Sequence, residues 1–345
     1  MATGRTHKKM KVVVACPIAV SREEDRLRSF ADIAFAGGTD EENLIKSVGG
    51  AEGLIVPWTS NEAVTRRVLD AGSALKIIGT TYGGVGNTAA AEILRRGITL
   101  VHTGPSRSLS IAEFTLALIL ASLMDIPRLH LSMRMNRDWP NYGKTRNLSR
   151  RRVGIIGVGL IARDLIKLLK PFECEIYAYS RHLLQTEAEK LGVTGVGLKK
   201  LLRECEIICL CQALTRETCQ MLGTKELGLI RKDAILVNTA RGKLIDCQAL
   251  TECLKAGKFK AALDVFGTEP EDKDADDYEL SLGLSRDSEL RGLENVILTP
   301  HAACRAVEMD TRRWEFIVEE FRLFQSGKKP RTSVTMGELK WMGRD

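Results

Sequence analysis

Three side chains with complementary chemistry, Arg241, Glu269 and His301, each lie a few residues after a short apolar segment typical of a buried strand. If these segments are parallel strands, their carboxyl ends meet at one edge of a sheet, where open α/β sheets bind ligands. An arginine there can orient a carboxylate or a carbonyl group through its planar fork. An imidazole can exchange a proton with a substrate oxygen while a carboxylate holds the ring. The three side chains therefore predict a site for proton transfer to or from a small polar substrate.

The elements that position these side chains belong to an alternation of apolar strands and helix-length charged stretches, which occurs twice along the chain. This alternation predicts right-handed βαβ crossovers and parallel sheets. Aromatic residues make up only 5% of the chain, so the core must be built from aliphatic side chains, which suits a sheet covered by helices on both faces. The fold class is therefore α/β. The expected strands are 12–15, 33–36, 53–56, 76–79, 99–102, 153–156, 175–179, 206–210, 234–238, 261–265 and 296–298.

A long apolar segment, 110–126, separates the two series of strands. Its start has Ser110 and Glu113 at the spacing of a capping box, which predicts a helix that begins there. Because the segment is apolar almost all round, we expect a buried helix. The polar, basic stretch 136–152 that follows predicts an irregular excursion before the second sheet.

Length and composition exclude several classes of protein. With 345 residues, 44% of them hydrophobic and 28% charged, the chain is long enough for two globular domains. The net charge of +7 is a weak argument for a nucleic-acid partner, and we expect none. The sequence has no run of about 18 apolar residues, so we expect no membrane span. The nine cysteines include no C-x-x-C pair, which favours reduced thiols, no metal site and a cytoplasmic location.

A glycine-rich turn, G-x-G-x-x-A, links the expected strand 153–156 to a helical segment. Gly157 permits the tight turn, and Gly159 lets the backbone approach a pyrophosphate closely. Ala162 is small enough for the helix to pack on the strand. The pyrophosphate would lie at the helix N-terminus, where unpaired N–H groups favour an anion. The motif therefore predicts dinucleotide binding, with Leu160 and Ile161 as further contacts.

The end of the next expected strand bears on the choice of cofactor. An NAD-binding fold usually has an acidic residue there, which accepts from the ribose 2′-hydroxyl group. Ser180 and Arg181 stand in that place, where they can donate to and pair with a 2′-phosphate. The alternative is that Arg181 is only a surface residue. We therefore expect NADP(H) to be favoured, with NAD(H) as the second choice.

The segments GVGLIA, LVNTARG, AALDVFGTEP and LTPHAA occur in an order and at separations that resemble the D-isomer-specific 2-hydroxyacid dehydrogenases, in particular the glyoxylate and hydroxypyruvate reductases. The resemblance covers about residues 11–330. It implies that His301 is the general acid/base, that Glu269 is its partner and that Arg241 orients the substrate. It further implies that Asp264, Thr239 and Ala240 contact the nicotinamide end of the cofactor. Backbone N–H groups of Gly83 and Gly84 would bind the substrate carboxylate.

The resemblance also implies an architecture and a reaction. A dinucleotide-binding lobe, 109–302, would be inserted into a discontinuous substrate-binding lobe, 1–108 and 303–345, each with a Rossmann- or flavodoxin-like parallel sheet. Catalysis would occur in the cleft between them. The reaction would transfer a hydride between NAD(P)H and C2 of a small 2-oxo or 2-hydroxy acid. We expect a homodimer. We expect no feedback inhibition by an amino acid, since the resemblance indicates no regulatory domain after the second lobe.

Several residues depart from the family pattern and leave the substrate open. Gly86 stands where aspartate is usual, Arg107 where asparagine is common, and Met124 where arginine is frequent. Arg107 could add a cationic contact for an acidic substrate. Two alternatives share the fold: a phosphite-type dehydrogenase, which keeps all three catalytic side chains, and a dinucleotide-sensing scaffold protein. Formate dehydrogenases of this fold pair the histidine with glutamine, so Glu269 argues against that activity.

Overall fold

The computed structural model describes residues 8–57, 63–83, 85, 88–135, 144–181, 183–267, 284 and 288–341. The chain divides into two compact units, the first made of residues 1–107 and 307–345 and the second of residues 108–306. The boundaries expected from the sequence lie between residues 108 and 109 and between residues 302 and 303. Each unit contains one parallel sheet with helices, so the predicted α/β class with two parallel-sheet lobes is confirmed.

The strands follow one another in the expected order. They are β1 (Met10–Val14), β2 (Ala31–Phe35), β3 (Gly53–Val56), β4 (Ile77–Thr80), β5 (Thr99–His102), β6 (Arg152–Ile156), β7 (Glu175–Tyr179), β8 (Thr194–Gly195), β9 (Ile207–Leu210), β10 (Ile235–Asn238), β11 (Lys260–Leu263) and β12 (Val296–Leu298).

Most helices of the described residues lie between successive strands, and the last two follow the final strand. They are α1 (Ser21–Phe30), α2 (Glu41–Ser47), α3 (Arg66–Ala71), α4 (Ala90–Arg95), α5 (Ser108–Met124), α6 (Ile126–Arg134), α7 (Leu160–Leu169), α8 (Gln185–Leu191), α9 (Leu198–Glu204), α10 (Thr224–Leu229), α11 (Cys247–Lys255), α12 (Met309–Gln325) and α13 (Met336–Trp341). Short 3-10 helices lie at Gly104–Arg107, Lys170–Phe172, Gly242–Leu244 and Glu289–Gly292.

The first unit contains a five-stranded parallel sheet in the order β2-β1-β3-β4-β5. All residues of β3 and β4 are buried, because helices cover both faces of the sheet. On one face, Trp314 and Phe321 of α12 pack with apolar side chains of β1. The chain therefore returns to this unit through α12.

The second unit contains a seven-stranded parallel sheet in the order β12-β11-β10-β9-β6-β7-β8. The order reverses at β6, which has β7 on one side and β9 on the other. Two helices that leave neighbouring strands on opposite faces open a crevice at such a point, and this is where doubly wound sheets bind ligands. The turn that contains Gly157 directly follows β6, so it lies at this reversal point.

The long apolar helix α5 differs in detail from the expectation. It begins at Ser108, directly after the 3-10 helix, so the predicted capping box at Ser110 and Glu113 does not mark its start. It ends at Met124, because Asp125 adopts a left-handed conformation (φ +55°) before α6 begins. The expected irregular excursion lies partly outside the described residues, and 144–151 contains neither helix nor strand.

One helical stretch of the described residues, Gly104–Met124, is long and apolar enough to cross a membrane by length and composition alone, with a mean hydropathy of 1.5 in an 18-residue window. No membrane span was expected from the sequence, because no unbroken run of about 18 apolar residues occurs, and that expectation stays a prediction. A core helix meets the same criterion, and α5 packs against α7, β10 and β11 in the second unit. Its Ala112, Ile119 and Leu123 belong to one buried cluster with residues of β6 and α7. Core packing therefore accounts for the apolarity of α5.

Candidate functional site

The turn after β6 has the geometry that the glycine-rich motif predicts. Gly157 has φ +91°, and a Cβ atom there would lie 2.7 Å from the backbone N and Cα atoms of Gln212. Both the positive φ and the close backbone therefore exclude a side chain. The Gly157 N–H donates to the Tyr179 carbonyl oxygen (2.7 Å), which fixes the turn against the end of β7.

The start of α7 fits a bound pyrophosphate. Gly159 is the residue before the helix, and a Cβ atom there would meet nothing within 4 Å, so the backbone borders open space. Glycine has no side chain that could accept from the first N–H groups of this ten-residue helix. Leu160 is exposed and Ile161 is half-buried, whereas Ala162 is fully buried beneath the helix. The turn and the helix N-terminus can therefore hold the phosphates of a dinucleotide.

The end of β7 places Ser180 half-buried and Arg181 exposed. The Arg181 guanidinium group donates to the Glu217 carboxylate in an ion pair. This hydrogen bond raises the pKa of Arg181 above its ordinary value. Glu217 was not predicted from the sequence, since it is 36 positions away and no local pattern links it to the strand. A 2′-phosphate group at this place would meet both the Arg181 cation and its carboxylate partner.

Arg241 and His301 come to the same edge of the sheet. In the register of the three neighbouring strands, Asn238 of β10 pairs with Leu263 of β11, which in turn pairs with Leu298 of β12. These residues are the last of their strands, so the segments that follow start side by side. Arg241 lies three positions after β10 and His301 three positions after β12. The two residues therefore follow strands that end at the same edge of the sheet, with β11 between those strands.

The Arg241 turn is fixed by the Asn238 side chain. The Asn238 amide oxygen accepts from the Ala240 N–H (3.0 Å), and its amide nitrogen donates to the Arg241 carbonyl oxygen (3.0 Å). Arg241 is exposed, and its Nη1 atom donates to the Ala240 carbonyl oxygen (2.7 Å). At Gly242 a Cβ atom would lie 1.5 Å from the Phe266 carbonyl oxygen, so only glycine allows this approach. Asn238 was not predicted as a contributor to the site.

The two residues that directly precede Arg241, and that are expected to border the nicotinamide, are buried. Thr239 is 6% exposed and Ala240 8% exposed. The Thr239 hydroxyl group forms a 2.7 Å hydrogen bond with the hydroxyl group of Thr115 on α5. Thr239 is thus fixed against the helix, and the segment that leads to Arg241 has a defined path.

The turn that bears His301 is held by Asp264, which is fully buried. The Asp264 Oδ1 atom accepts from the Thr299 hydroxyl group (2.5 Å) and from the Ala302 N–H (2.9 Å), and its Oδ2 atom accepts from the Ala303 N–H (3.0 Å). The His301 N–H donates to the Asp264 backbone carbonyl oxygen (2.9 Å). These contacts enclose His301 in a left-handed conformation (φ +50°), which is uncommon for a residue with a side chain.

This arrangement gives Asp264 a role that the sequence did not predict, namely to shape the turn around His301. Its expected contact with the nicotinamide stays a prediction. Glu269, the expected partner of His301, lies outside the described residues, as does Gly84.

Gly83 lies in the first unit, three positions after the buried strand β4 and directly after the half-buried Tyr82. Two donors of Thr103, its N–H (3.0 Å) and its hydroxyl group (3.1 Å), bond to the Tyr82 carbonyl oxygen and connect this loop to the segment after β5. Gly83 is exposed, so its backbone is accessible to a small molecule. Among the residues that the structure describes, no group of three His, Cys, Asp or Glu side chains could hold a metal ion.

Comparisons with known proteins relate this chain to a protein family. A family model described as "D-isomer specific 2-hydroxyacid dehydrogenase, NAD binding domain" matches residues 116–303. The D-3-phosphoglycerate dehydrogenase of Methanocaldococcus jannaschii is 31% identical over 343 residues, which cover 96% of this chain and 60% of that protein. The glyoxylate reductase of Korarchaeum cryptofilum is 30% identical, with 86% of each chain covered.

A solved structure agrees with these matches. A crystal structure of a protein from Pyrococcus horikoshii OT3 superposes with a TM-score of 0.77 at 28% identity, and the alignment covers 96% of this chain and 97% of that one. The chain therefore spans about 60% of the length of the phosphoglycerate dehydrogenase and nearly all of the solved structure.

Proposed function

Because the chain belongs to the D-isomer-specific 2-hydroxyacid dehydrogenase family, we propose that it transfers a hydride between a nicotinamide dinucleotide and C2 of a small 2-oxo or 2-hydroxy acid. The observation that carries the proposal is the left-handed His301 turn, which Asp264 holds at the same sheet edge as Arg241. The Gly157 turn lies at the reversal point of this same sheet, and its open helix N-terminus supports the dinucleotide-binding role.

In the direction that reduces a 2-oxo acid, each residue of the site has a separate role. The bound cofactor supplies the hydride that C2 receives. Protonated His301 donates its proton to the C2 oxygen, so that the carbonyl group becomes a hydroxyl group. Arg241 orients the substrate and stabilises the negative charge that develops on the oxygen. Glu269 holds the imidazole ring, and backbone N–H groups of Gly83 and Gly84 bind the carboxylate.

The substrates of the relatives narrow the choice of test compounds. Suitable test compounds are glyoxylate, hydroxypyruvate and phosphohydroxypyruvate, each with NADPH and with NADH, since the relatives are named as a glyoxylate reductase and a phosphoglycerate dehydrogenase. The wild-type enzyme should reduce at least one of them. The His301→Ala variant should lose about 10²–10⁴-fold in kcat, the typical contribution of a positioned general acid. The affinity for the cofactor, measured by titration calorimetry, should be retained.

The matched control is His130→Ala, because His130 is an exposed histidine of α6 in the same unit and should be replaceable without loss of activity. Near-normal turnover by His301→Ala would contradict the role of His301. Tight cofactor binding by the wild type without turnover of any of these acids would instead favour the scaffold alternative. A positive assay with phosphite would favour the phosphite-type dehydrogenase.

For the cofactor, we propose that Ser180 and Arg181 favour NADP(H). The ion pair with Glu217 opposes this preference, since the carboxylate competes with a 2′-phosphate group for the guanidinium group. Glu217→Gln should therefore raise the ratio of kcat/KM for NADPH to that for NADH, and Arg181→Ala should lower it. Arg216→Ala, a change at a neighbouring exposed arginine, is the control. A wild-type enzyme with a strong preference for NADH would refute the proposal.

We also propose a homodimer. Helix α6 and the residue that follows it expose large apolar side chains, which in a globular protein mark an interaction surface. These side chains are Ile126, Leu131, Met133 and Met135. They support an interface formed by a second copy of the chain.

A further inference from the structure

The second unit contains a small polar cavity at the amino end of β11. Lys260, the first residue of β11, lines it, whereas Arg241 and His301 follow the last residues of the neighbouring parallel strands. The cavity therefore lies at the opposite edge of the same sheet from these two residues. Its volume is about 160 Å³, below the roughly 300–1,000 Å³ of pockets that bind drug-sized molecules. A small ion fits such a volume better than a nucleotide does.

Hydrogen bonds fix the segments that form the cavity. The Arg146 N–H donates to the Leu123 carbonyl oxygen (3.0 Å), which holds the segment before β6 against the end of α5. The Arg146 Nη1 atom donates to the Asp233 carbonyl oxygen (2.8 Å), next to the start of β10. Leu123 and Arg146 both line the cavity. Its wall is therefore built from segments that are anchored to one another.

Five charged side chains line the cavity, and three of them pair with one another. The Asp125 carboxylate pairs with Arg128 (2.5 Å) and with Lys260 (3.5 Å). The other two are Lys144 and Arg146. Within the part of the chain that the structure describes, neither of them forms an ion pair with a carboxylate. These two cations are therefore the groups of the cavity that can bind an anion.

The surroundings of Arg146 disfavour its positive charge. Arg146 is half-buried, and desolvation lowers the pKa of its guanidinium group. The nearby cations Arg151 and Arg231 lower this pKa further, while Asp233 and Glu206 oppose the shift. The Glu206 carboxylate itself forms an ion pair with Arg151 (2.5 Å). An anion in the cavity would offset both the burial and the like charges.

The guanidinium group of Arg146 also has donors to offer. Apart from the bond to Asp233, its N–H groups form no hydrogen bond with the described residues. Their planar arrangement matches the spacing of two oxygens of an oxyanion. The exposed Lys144 and Thr145, two positions and one position before Arg146, add an ammonium group and a hydroxyl group to the lining. The donors thus come from three consecutive residues of one anchored segment.

We propose that this cavity binds a small oxyanion of the phosphate class, held by Arg146 and Lys144. A tetrahedral oxyanion places two oxygens on the guanidinium fork and leaves its other oxygens for the ammonium group and the Thr145 hydroxyl group. The site is separate from the proposed dinucleotide and substrate sites, which lie at the other edge of the sheet. The inference does not rest on the proposed function, since it uses no residue of the proposed reaction.

The test is a calorimetric titration with inorganic phosphate at constant ionic strength. The protein is first saturated with NADH or NADPH, so that the Gly157 turn is occupied. We expect saturable binding of one phosphate per chain, with a Kd no lower than about micromolar, the limit for so small a ligand. Arg146→Gln should raise the Kd about 10- to 100-fold, the effect of one lost hydrogen-bonded charge, and the exposed Lys144 should contribute less, about 3- to 10-fold in Lys144→Gln.

Two control variants separate this site from other sources of binding. Lys190→Gln removes an exposed lysine of α8 in the same unit and should change the Kd less than about twofold. Arg241→Gln removes the cation of the proposed substrate site and should also leave the Kd unchanged. Thermal unfolding identifies any variant that fails to fold. If Arg146→Gln does not fold, Lys144→Gln, a change at an exposed side chain, provides the test.

The contrary results are distinct. Absence of saturable phosphate binding by the wild type would overturn the proposal. An equal loss of affinity in Lys190→Gln would show general attraction to a basic surface, and a loss in Arg241→Gln alone would assign the phosphate to the substrate site. Acetate that competes as well as phosphate would refute the phosphate class. All of these results leave the dehydrogenase activity to be decided by the assays with 2-oxo acids.

Discussion

The Asp264→Asn substitution tests whether the buried carboxylate positions His301. The asparagine side chain has the same shape, so it leaves no cavity. Its single amide oxygen can still accept a hydrogen bond, but its NH₂ group then faces donors on the other side. Because the carboxylate accepts from the Thr299 hydroxyl group and from the N–H groups of Ala302 and Ala303, at least one of these bonds must be lost.

The energies involved are comparable with the strain in the turn. A hydrogen bond to a charged group contributes about 1.5–3 kcal/mol. A residue with a side chain in a sparsely populated backbone region costs on the order of 1–3 kcal/mol, and His301 is such a residue at φ +50°. The loss of one bond can therefore release the turn. We expect the free energy of unfolding to fall by about 2–3 kcal/mol, and kcat to fall about 10²-fold, as for a catalytic group displaced by about 1 Å.

The assay measures kcat and KM with the best 2-oxo acid, cofactor affinity by calorimetry, and stability by urea unfolding. Asp246→Asn is the matched control, because the Asp246 carboxylate caps α11 by accepting from the Ala249 N–H (3.1 Å) and lies outside the His301 turn. Asparagine is an equally good N-cap, so this variant should keep both stability and kcat. If Asp264→Asn loses stability but keeps kcat within about threefold of the wild type, the positioning argument is wrong.

Three other perturbations have defined outcomes. Gly242→Ala places a Cβ atom 1.5 Å from the Phe266 carbonyl oxygen, so the two backbones must separate; we expect a loss of about 3 kcal/mol or more in urea unfolding, and an unchanged midpoint would contradict the geometry. The exposed Cys219 should react with iodoacetamide at pH 8.5 in the native state. The buried Cys209 should react only after unfolding, because desolvation raises the pKa of its thiol well above the ordinary value. Peptide mass spectrometry would show which of the two thiols is modified. Leu131→Glu on α6 should convert the proposed dimer to a monomer in light scattering, whereas Leu184→Glu, at another exposed leucine, should not; an unchanged mass for both would place the interface elsewhere.

Much of the fold could be predicted from the sequence because buried parallel strands are continuous apolar runs. The strands 53–56, 99–102, 175–179 and 296–298 have the predicted bounds. The strand β8 was missed, since Thr194 and Gly195 are exposed and form only two pairs with β7, so no apolar pattern marks them. The start of α5 was misplaced for a different reason: the chain enters this helix directly from a 3-10 helix, two residues before the predicted capping box.

The break after α5 combines a local signal with a tertiary contact. The apolar pattern continues through Ile126, so the helix was expected to run to that residue. Pro127 follows, and a proline has no N–H group to continue the preceding helix, so a new helix begins there. Asp125 adopts a left-handed conformation, and its carboxylate pairs with Arg128 (2.5 Å) and with Lys260 (3.5 Å) of β11. Lys260 is more than a hundred positions away in the chain, so a local pattern could not indicate this second pairing.

The same distinction applies to the candidate site. The strand pattern could predict that Arg241 and His301 follow strands of one sheet, because parallel strands bring their carboxyl ends together whatever their side chains are. The residues that hold them could not be assigned from sequence, since Asn238 and Asp264 act through hydrogen bonds whose direction depends on turn geometry. Asp264 in particular was expected to contact the cofactor, while its carboxylate oxygens accept hydrogen bonds from the segment 299–303.

A chain of hydrogen bonds links the two proposed catalytic turns across three neighbouring strands. The Asn238 amide donates to the Arg241 carbonyl oxygen, and the Asn238 carbonyl oxygen accepts from the Asp264 N–H (2.9 Å). The Asp264 carbonyl oxygen in turn accepts from the His301 N–H (2.9 Å). Each link joins backbone to backbone or to a buried side chain, so a shift of one turn is transmitted to the next. The proposed orientation of the substrate by Arg241 and the proposed delivery of the proton by His301 would therefore depend on one framework. The Asp264 carboxylate holds the His301 end of this framework through the N–H groups of Ala302 and Ala303, so its removal should affect kcat more than cofactor binding.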